Sequence, residues 1–211
     1  MAKDKGIEII PVKDYSEQKK VILLRHDIDF SLEYAYELAN FEYDLGVCSS
    51  YYVYLHSPTY NALSPKSMGM IKAMKGMGHE IGLHYDSRYD LGYCEKEIIP
   101  TICKDDIKSM SQHNPSMTLP MWYDDTIDPK DIKIKYISDS GRNWREKCLC
   151  SNIGKHDKLH VNMHPEWWCS NSNSREDMIK KLYLSQHATL QKDIEGIREM
   201  LSDYERDVIN K

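Results

Sequence analysis

Residues 21–29 read Val21-Ile22-Leu23-Leu24-Arg25-His26-Asp27-Ile28-Asp29, four apolar side chains followed by a string of mostly ionisable ones. A short continuous apolar run fits a strand buried on both faces, as in a parallel sheet covered by helices. A helix is predicted next, from about Ser31 to Leu45, with Ser31 as N-cap and Gly46 as the stop. Tyr34, Leu38, Phe41 and Leu45 are expected to form its apolar face. Residues 47–55, rich in β-branched and aromatic types, read as a second strand. Ser64-Pro65 opens a second helix that packs through Met68, Ile71, Met74 and Met77 and ends at Gly78. A third strand is expected at about 79–84, then a helix at about 93–107 that Pro100 should kink or break. Short strands follow near 107–112, 132–138 and 158–164. This alternation of strand and helix argues for an α/β fold of parallel strands joined by crossover helices.

Length and composition narrow the function. The 211 residues fit one domain, with a core at about 20–170 and a C-terminal helix at about 174–208. Ser174-Arg175-Glu176-Asp177 matches a capping box at the start of that helix. Ile179, Leu182, Tyr183, Leu190, Ile194, Ile197 and Leu201 make it amphipathic, suited to covering the rest of the domain or to forming a homodimer. The chain has 28 basic against 33 acidic side chains, a net charge of −5, and shows no basic stripe; this excludes an ordinary nucleic-acid binder. The 15 tyrosines against 2 phenylalanines supply polar-tipped aromatics, which suit a sugar-sized polar ligand as well as ordinary half-buried positions. No stretch approaches the ~20 apolar residues of a membrane span, and the charged N-terminus lacks the apolar run of a signal peptide. A cytoplasmic location is the expectation. The six cysteines form no C-x-x-C pair and read as reduced, mostly packed thiols. Phosphate-cradling glycine motifs and a G-x-S-x-G nucleophile elbow are both missing from the sequence.

In parallel α/β folds the chemistry gathers at the C-terminal ends of the strands. Asp27 and Asp29 end the first predicted strand, and His84 and Asp86 the third. His113, Asp139 and His164 each follow another. Residues i and i+2 of a strand point the same way, so Asp27 and Asp29 should share a face. Two carboxylates this close in a dry site need a cation or a shared proton. A divalent metal meets that need, and a carboxylate with imidazoles suits zinc, with nickel, cobalt, manganese or iron as alternatives.

Three segments, Leu24 to Ser31 (LRHDIDFS), Gly78 to Asp86 (GHEIGLHYD) and Met163 to Trp168 (MHPEWW), resemble the polysaccharide deacetylase family, that is, the NodB-homology domain or carbohydrate esterase family four. The resemblance spans about residues 20–170, and the HDID form is shared with a branch found in surface-polysaccharide gene clusters. It implies a distorted (β/α) barrel and metal-dependent removal of an N-acetyl group from an amino sugar or glycan precursor. By the same resemblance Asp27 looks like the catalytic base and Asp29 a metal ligand, although the intervening Ile28 leaves those two roles open. His84 matches the first histidine of the family's H-x-x-x-H. The second position is Arg88, and arginine cannot ligate a metal. His113 is the candidate replacement ligand, with Asp86 the second choice. His164 resembles the family's distal general acid. Asp139 could orient its imidazole, and Arg25 or Arg88 could hold Asp27 ionised. Trp167, Trp168 and Tyr85 are candidate substrate contacts. Two further readings stay open: a hydrolase of this fold acting on another small amide or imide, and a barrel that has lost its activity along with the histidine at position 88.

Overall fold

The computed structural model describes residues 5–15, 20–86, 95–113, 121–122, 134–144 and 147–209; Arg88 and Cys94 lie outside them. The chain divides into two compact units, Met1–Asn171 and Ser172–Lys211.

The first unit is built on one sheet. Its strands are β1 (Glu8–Ile10), β2 (Val21–Ile28), β3 (Ser50–Tyr54), β4 (Glu80–Tyr85), β5 (Ser109–Gln112), β6 (Met121–Trp122), β7 (Lys135–Ser138) and β8 (Lys158–Met163). Their order is β6-β5-β4-β3-β2-β8-β7, with β1 also on β2. All pairings are parallel except β5 with β6. With helices against it, this curled sheet is a distorted (β/α) barrel. The short strand β1 was not anticipated. It pairs with Val21 to Leu23, below the point where β3 joins β2 at Arg25.

The helices of this unit are α1 (Leu32–Asp44), α2 (Pro65–Gly76), α3 (Ile98–Cys103), α4 (Leu149–Asn152) and α5 (Pro165–Cys169). Ser31 caps α1 by accepting from the Tyr34 N–H, and Ser64 caps α2 by accepting from the Ser67 N–H, as expected. Gly46, at φ 65°, turns the chain out of α1.

Three expectations are corrected. The buried face of α1 carries Leu32, Ala35, Leu38, Ala39 and Glu42, while Phe41 and Leu45 are exposed. The small alanines let the helix lie close to the sheet, and Glu42 is drawn inward by polar partners. Its carboxylate binds the His26 ring at 2.9 Å and accepts from Ser49 at 2.6 Å and Tyr51 at 2.9 Å. In the stretch expected as one helix at 93–107, Glu95 is helical, residues 96–97 turn and α3 follows over Ile98–Cys103; the interruption precedes Pro100, which lies inside α3. Pro100 stands in the first turn, where no intrahelical acceptor is available to its nitrogen in any case. The cysteines are also less packed than expected, since Cys148 and Cys150 are exposed.

The two faces of the sheet differ in chemistry. Outward residues of β2, β3 and β4 (Ile28, Tyr51, Val53, Ile81 and Leu83) form the main apolar core with Leu32, Ala35, Ile71 and Met74 from α1 and α2. The inward residues form layers. Ile10, Val12, Val21 and Leu23 plug one end. Above them Glu80 accepts from Ser50 at 2.5 Å and Ser109 at 2.6 Å. Gly82 comes next on β4, because a Cβ there would lie 2.6 Å from both the Tyr52 ring and the Ser109 carbonyl oxygen. Only glycine lets that ring cross the strand.

The second unit is the long helix α6 (Arg175–Ile209) with the residues leading into it. Ser174 accepts from the Asp177 N–H at 3.0 Å, and Asp177 in turn accepts from the Asn173 N–H at 3.1 Å. The reciprocal cap reaches one residue further back than a standard capping box. Among the described residues, no helix is long and apolar enough to cross a membrane.

Candidate functional site

The strand register carries the polar residues of the inner face upward to the C-terminal rim. Arg25 is fully buried. Its Nη2 donates to Asp27 Oδ2 at 2.9 Å, and its guanidinium lies 5.6 Å from the Tyr52 ring centre and 5.9 Å from that of Tyr136. Asn162 Nδ2 donates to the same Asp27 oxygen at 2.9 Å. Burial alone would raise the Asp27 pKa, but the charges of Arg25, His84 and His164 outweigh it and hold the carboxyl below its ordinary range. Asp27 Oδ1 has no hydrogen-bond partner. One oxygen of Asp27 is therefore anchored and the other is free.

Asp29 sits just past the end of β2 and behaves differently. Its Oδ1 lies 3.2 Å from His84 Nε2 and 3.3 Å from His113 Nδ1, and those two nitrogens are 3.1 Å apart. Asp29, not Asp27, joins the histidines. Burial would raise Asp29 too, but hydrogen bonds from His113 and His84 and the nearby charge of His164 hold it well below the carboxylate range. The pairing raises His113 in turn, through its hydrogen bond to Asp29 and against the opposing effect of burial. His84 Nδ1 donates to the Ser111 carbonyl at 3.1 Å, which fixes the ring with Nε2 facing Asp29. His113 is stacked on Tyr54 at 4.7 Å, and its backbone N–H donates to the Tyr85 carbonyl at 2.7 Å.

These three donor atoms fit a metal. Ligand bonds of ~2.0–2.1 Å in tetrahedral geometry put donors ~3.3–3.4 Å apart, close to the 3.1–3.3 Å seen here. Two imidazoles and one carboxylate are also the donor types that zinc and its neighbours take, and three protein ligands leave a fourth position open. Asp29 and His113 keep 15 % and 18 % of their side-chain surface exposed, against 3 % for His84, so the triad opens on the Asp29–His113 side.

His164 faces the triad from the end of β8, with its Nε2 3.8 Å from Asp29 Oδ2. Asp139, at the end of β7, holds the imidazole from behind. His164 Nδ1 donates to Asp139 Oδ1 at 2.7 Å, and the His164 backbone N–H donates to the same carboxylate at 3.1 Å. Burial would lower the His164 pKa, but Asp139 and the charge of Asp29 raise it to about 10.

The structure thus brings Asp27, Asp29, His84, His113, Asp139 and His164 to one rim, with Arg25 beneath. Asp86 is turned to Tyr54, whose hydroxyl donates to it at 3.2 Å, and does not join the triad. Arg88 is outside the described residues. Trp168 is half exposed, and its indole N–H donates to Asp139 Oδ2 at 2.7 Å, so it braces the acid pair as well as lining the rim. Trp167 is partly buried. Tyr85 alternates with His84 on β4 and packs against the main apolar core, away from the site residues. Sequence reasoning missed Asn162 and Tyr54. Asn162 had a signal, since it stands two residues before His164 as Asp27 does before Asp29.

No protein-family model and no curated protein matches the chain. Solved structures do. A CE4 family pseudoenzyme from Bacillus anthracis superposes with a TM-score of 0.51 at 14% identity, over 86% of this chain and 66% of that one. A mutant of that pseudoenzyme with restored enzymatic activity gives a TM-score of 0.50 at 15% identity, over 86% and 69%. The chitin deacetylase of Colletotrichum lindemuthianum gives 0.43 at 14% identity, over 82% and 85%. At these identities the likeness shows the fold alone: the chain is folded as CE4 family structures are, in a distorted (β/α) barrel.

Proposed function

We propose that this protein is a metal-dependent hydrolase of a C–N amide bond, and that its substrate is an N-acetylated amino sugar or glycan precursor. The observation that carries the reading is the Asp29–His84–His113 triad, three donors 3.1–3.3 Å apart with His164 across from them. Asp29, His84 and His113 would hold a divalent cation, zinc first among the candidates. Bound there, the cation supplies Lewis acidity, lowering the pKa of a water molecule and polarising the amide carbonyl. Asp27 takes the proton of the attacking water on Oδ1, its free oxygen, while Arg25 and Asn162 fix Oδ2. The water oxygen bonds to the acyl carbon, the C–N bond breaks, and His164 gives the Nε2 proton to the departing nitrogen. The products are acetate and a free amine. Asp139 keeps His164 protonated and aimed.

Metal content and acetate release on a panel of N-acetylated sugars test this. The expected result is near one zinc, nickel, cobalt, manganese or iron per chain, lost in His84→Ala, with acetate released from at least one sugar. Release of product only from small amides or cyclic ureides in the same panel would move the substrate and keep the chemistry. A purified chain that takes up none of these ions would overturn the reading and leave an inactive barrel.

A further inference from the structure

We infer that α6 forms a parallel, in-register two-stranded coiled coil with the α6 of a second copy of this chain. Tyr183, Leu190, Ile194, Ile197, Leu201 and Tyr204 are all exposed on this helix. Their spacing is a heptad seam: Leu190 and Ile197 at d, Ile194 and Leu201 at a, with tyrosines at the outer d positions. His187 fills the remaining a position, and a polar group there fixes register at some cost in stability. The seam runs ~32 Å at ~1.5 Å per residue. Met178 and Leu182, which are buried, fall at f and c, away from the seam.

The flanking positions name the partner and the orientation. In a parallel, in-register pair each g residue faces the e residue five positions on in the other helix. Three such pairs are matched in chemistry: Ile179 with Leu184, Gln186 with Gln191, and Asp193 with Arg198. Both members of the charged pair are exposed. An antiparallel pair would set g against g and e against e, and Asp193 would never meet Arg198. A self-complementary g/e pattern is the property expected of a surface whose partner is itself.

The test is sedimentation of the full chain over the micromolar range, with three sets of variants. The unaltered chain should run as a dimer, and Ile194→Lys with Ile197→Lys as a monomer whose helical circular dichroism shows a folded first unit. Asp193→Arg or Arg198→Asp alone should raise the dimer Kd about tenfold, from two lost pairs and the like-charge contacts they create. Combining the two should return it to near the starting value. Leu190→Cys, placed on Cys148→Ser and Cys150→Ser, should cross-link into a covalent dimer on mild oxidation when that background does not. A monomer at every concentration overturns the inference. So does a dimer that ignores the lysines, or one in which the charge reversal fails to restore affinity and Leu190→Cys fails to cross-link; those outcomes mean another interface or an antiparallel pair.

Discussion

Asp139 accepts hydrogen bonds from the His164 ring, the His164 backbone and the Trp168 indole. Its leverage on His164 can be read as a pH effect. The His164 pKa is raised to about 10, so the imidazolium persists to near that pH, while its stabilising contribution is complete below the ordinary histidine pKa and is lost as pH rises from there to about 10. A pH–rate profile for the proposed hydrolysis should therefore fall on the alkaline side. In Asp139→Asn the main raising partner is gone while burial remains, so that alkaline limb should move down by at least about one pH unit. An unmoved limb would show that His164 is not the group reporting there. Gly82 offers a second residue-scale test. A methyl group at this position meets a backbone carbonyl oxygen and a buried ring at 2.6 Å, neither of which can step aside easily. Gly82→Ala should lose about 2 kcal/mol or more of stability in denaturant unfolding, whereas Gly69→Ala, in open space on α2, should lose none.

At the scale of elements, strands and helices were readable wherever local chemistry and tertiary demand agreed. The strand β2 shows its apolar run, and Ser31 and Ser64 cap the helices they were expected to cap. The readings failed where a neighbour set the outcome. On α1 two stripes share Leu38, one through Tyr34 and Phe41 and one through Ala35 and Glu42. The second is buried because the sheet presents His26, Ser49 and Tyr51, which only a polar residue can satisfy. β1 is three residues long, too short to show a period. The site followed the same rule. Each ligand candidate was visible as an ionisable residue ending a strand, but the division of labour between Asp27 and Asp29 depends on Arg25 and Asn162 reaching one and the histidines the other. The α1 correction has its own consequence. Burial would raise Glu42, but the charge and hydrogen bond of His26 and the hydroxyls of Ser49 and Tyr51 hold it below the ordinary carboxylate range. Its contribution is thus complete above the unfolded pKa of Glu and is lost as pH falls through the lower folded value. Glu42→Gln should cost about 3 kcal/mol at neutral pH and flatten the acid loss of stability, as measured by urea unfolding as pH is lowered from ~5 to ~2.

For the whole molecule, the first unit carries its apolar core outside the sheet and a polar column inside it. That column has a thermodynamic consequence that needs no turnover to detect. The barrel positions Asp29, His84 and His113 from the ends of β2, β4 and β5, so the triad exists only when all three strands are in register. An ion that binds the triad binds the folded chain and not the unfolded one, and it must stabilise the fold by mass action. At a free concentration 100 times its Kd the gain is ~2.7 kcal/mol, or roughly 5–11 °C in Tm for a chain of this size. Zinc titrated into chelator-treated protein should raise Tm by that order, and His113→Ala should lose the rise while keeping its own metal-free Tm within a few degrees. Asp86→Asn, which leaves the three donors in place, should retain it. If zinc leaves Tm unchanged in the unaltered chain, or raises it equally in His113→Ala, the triad is not where the ion binds.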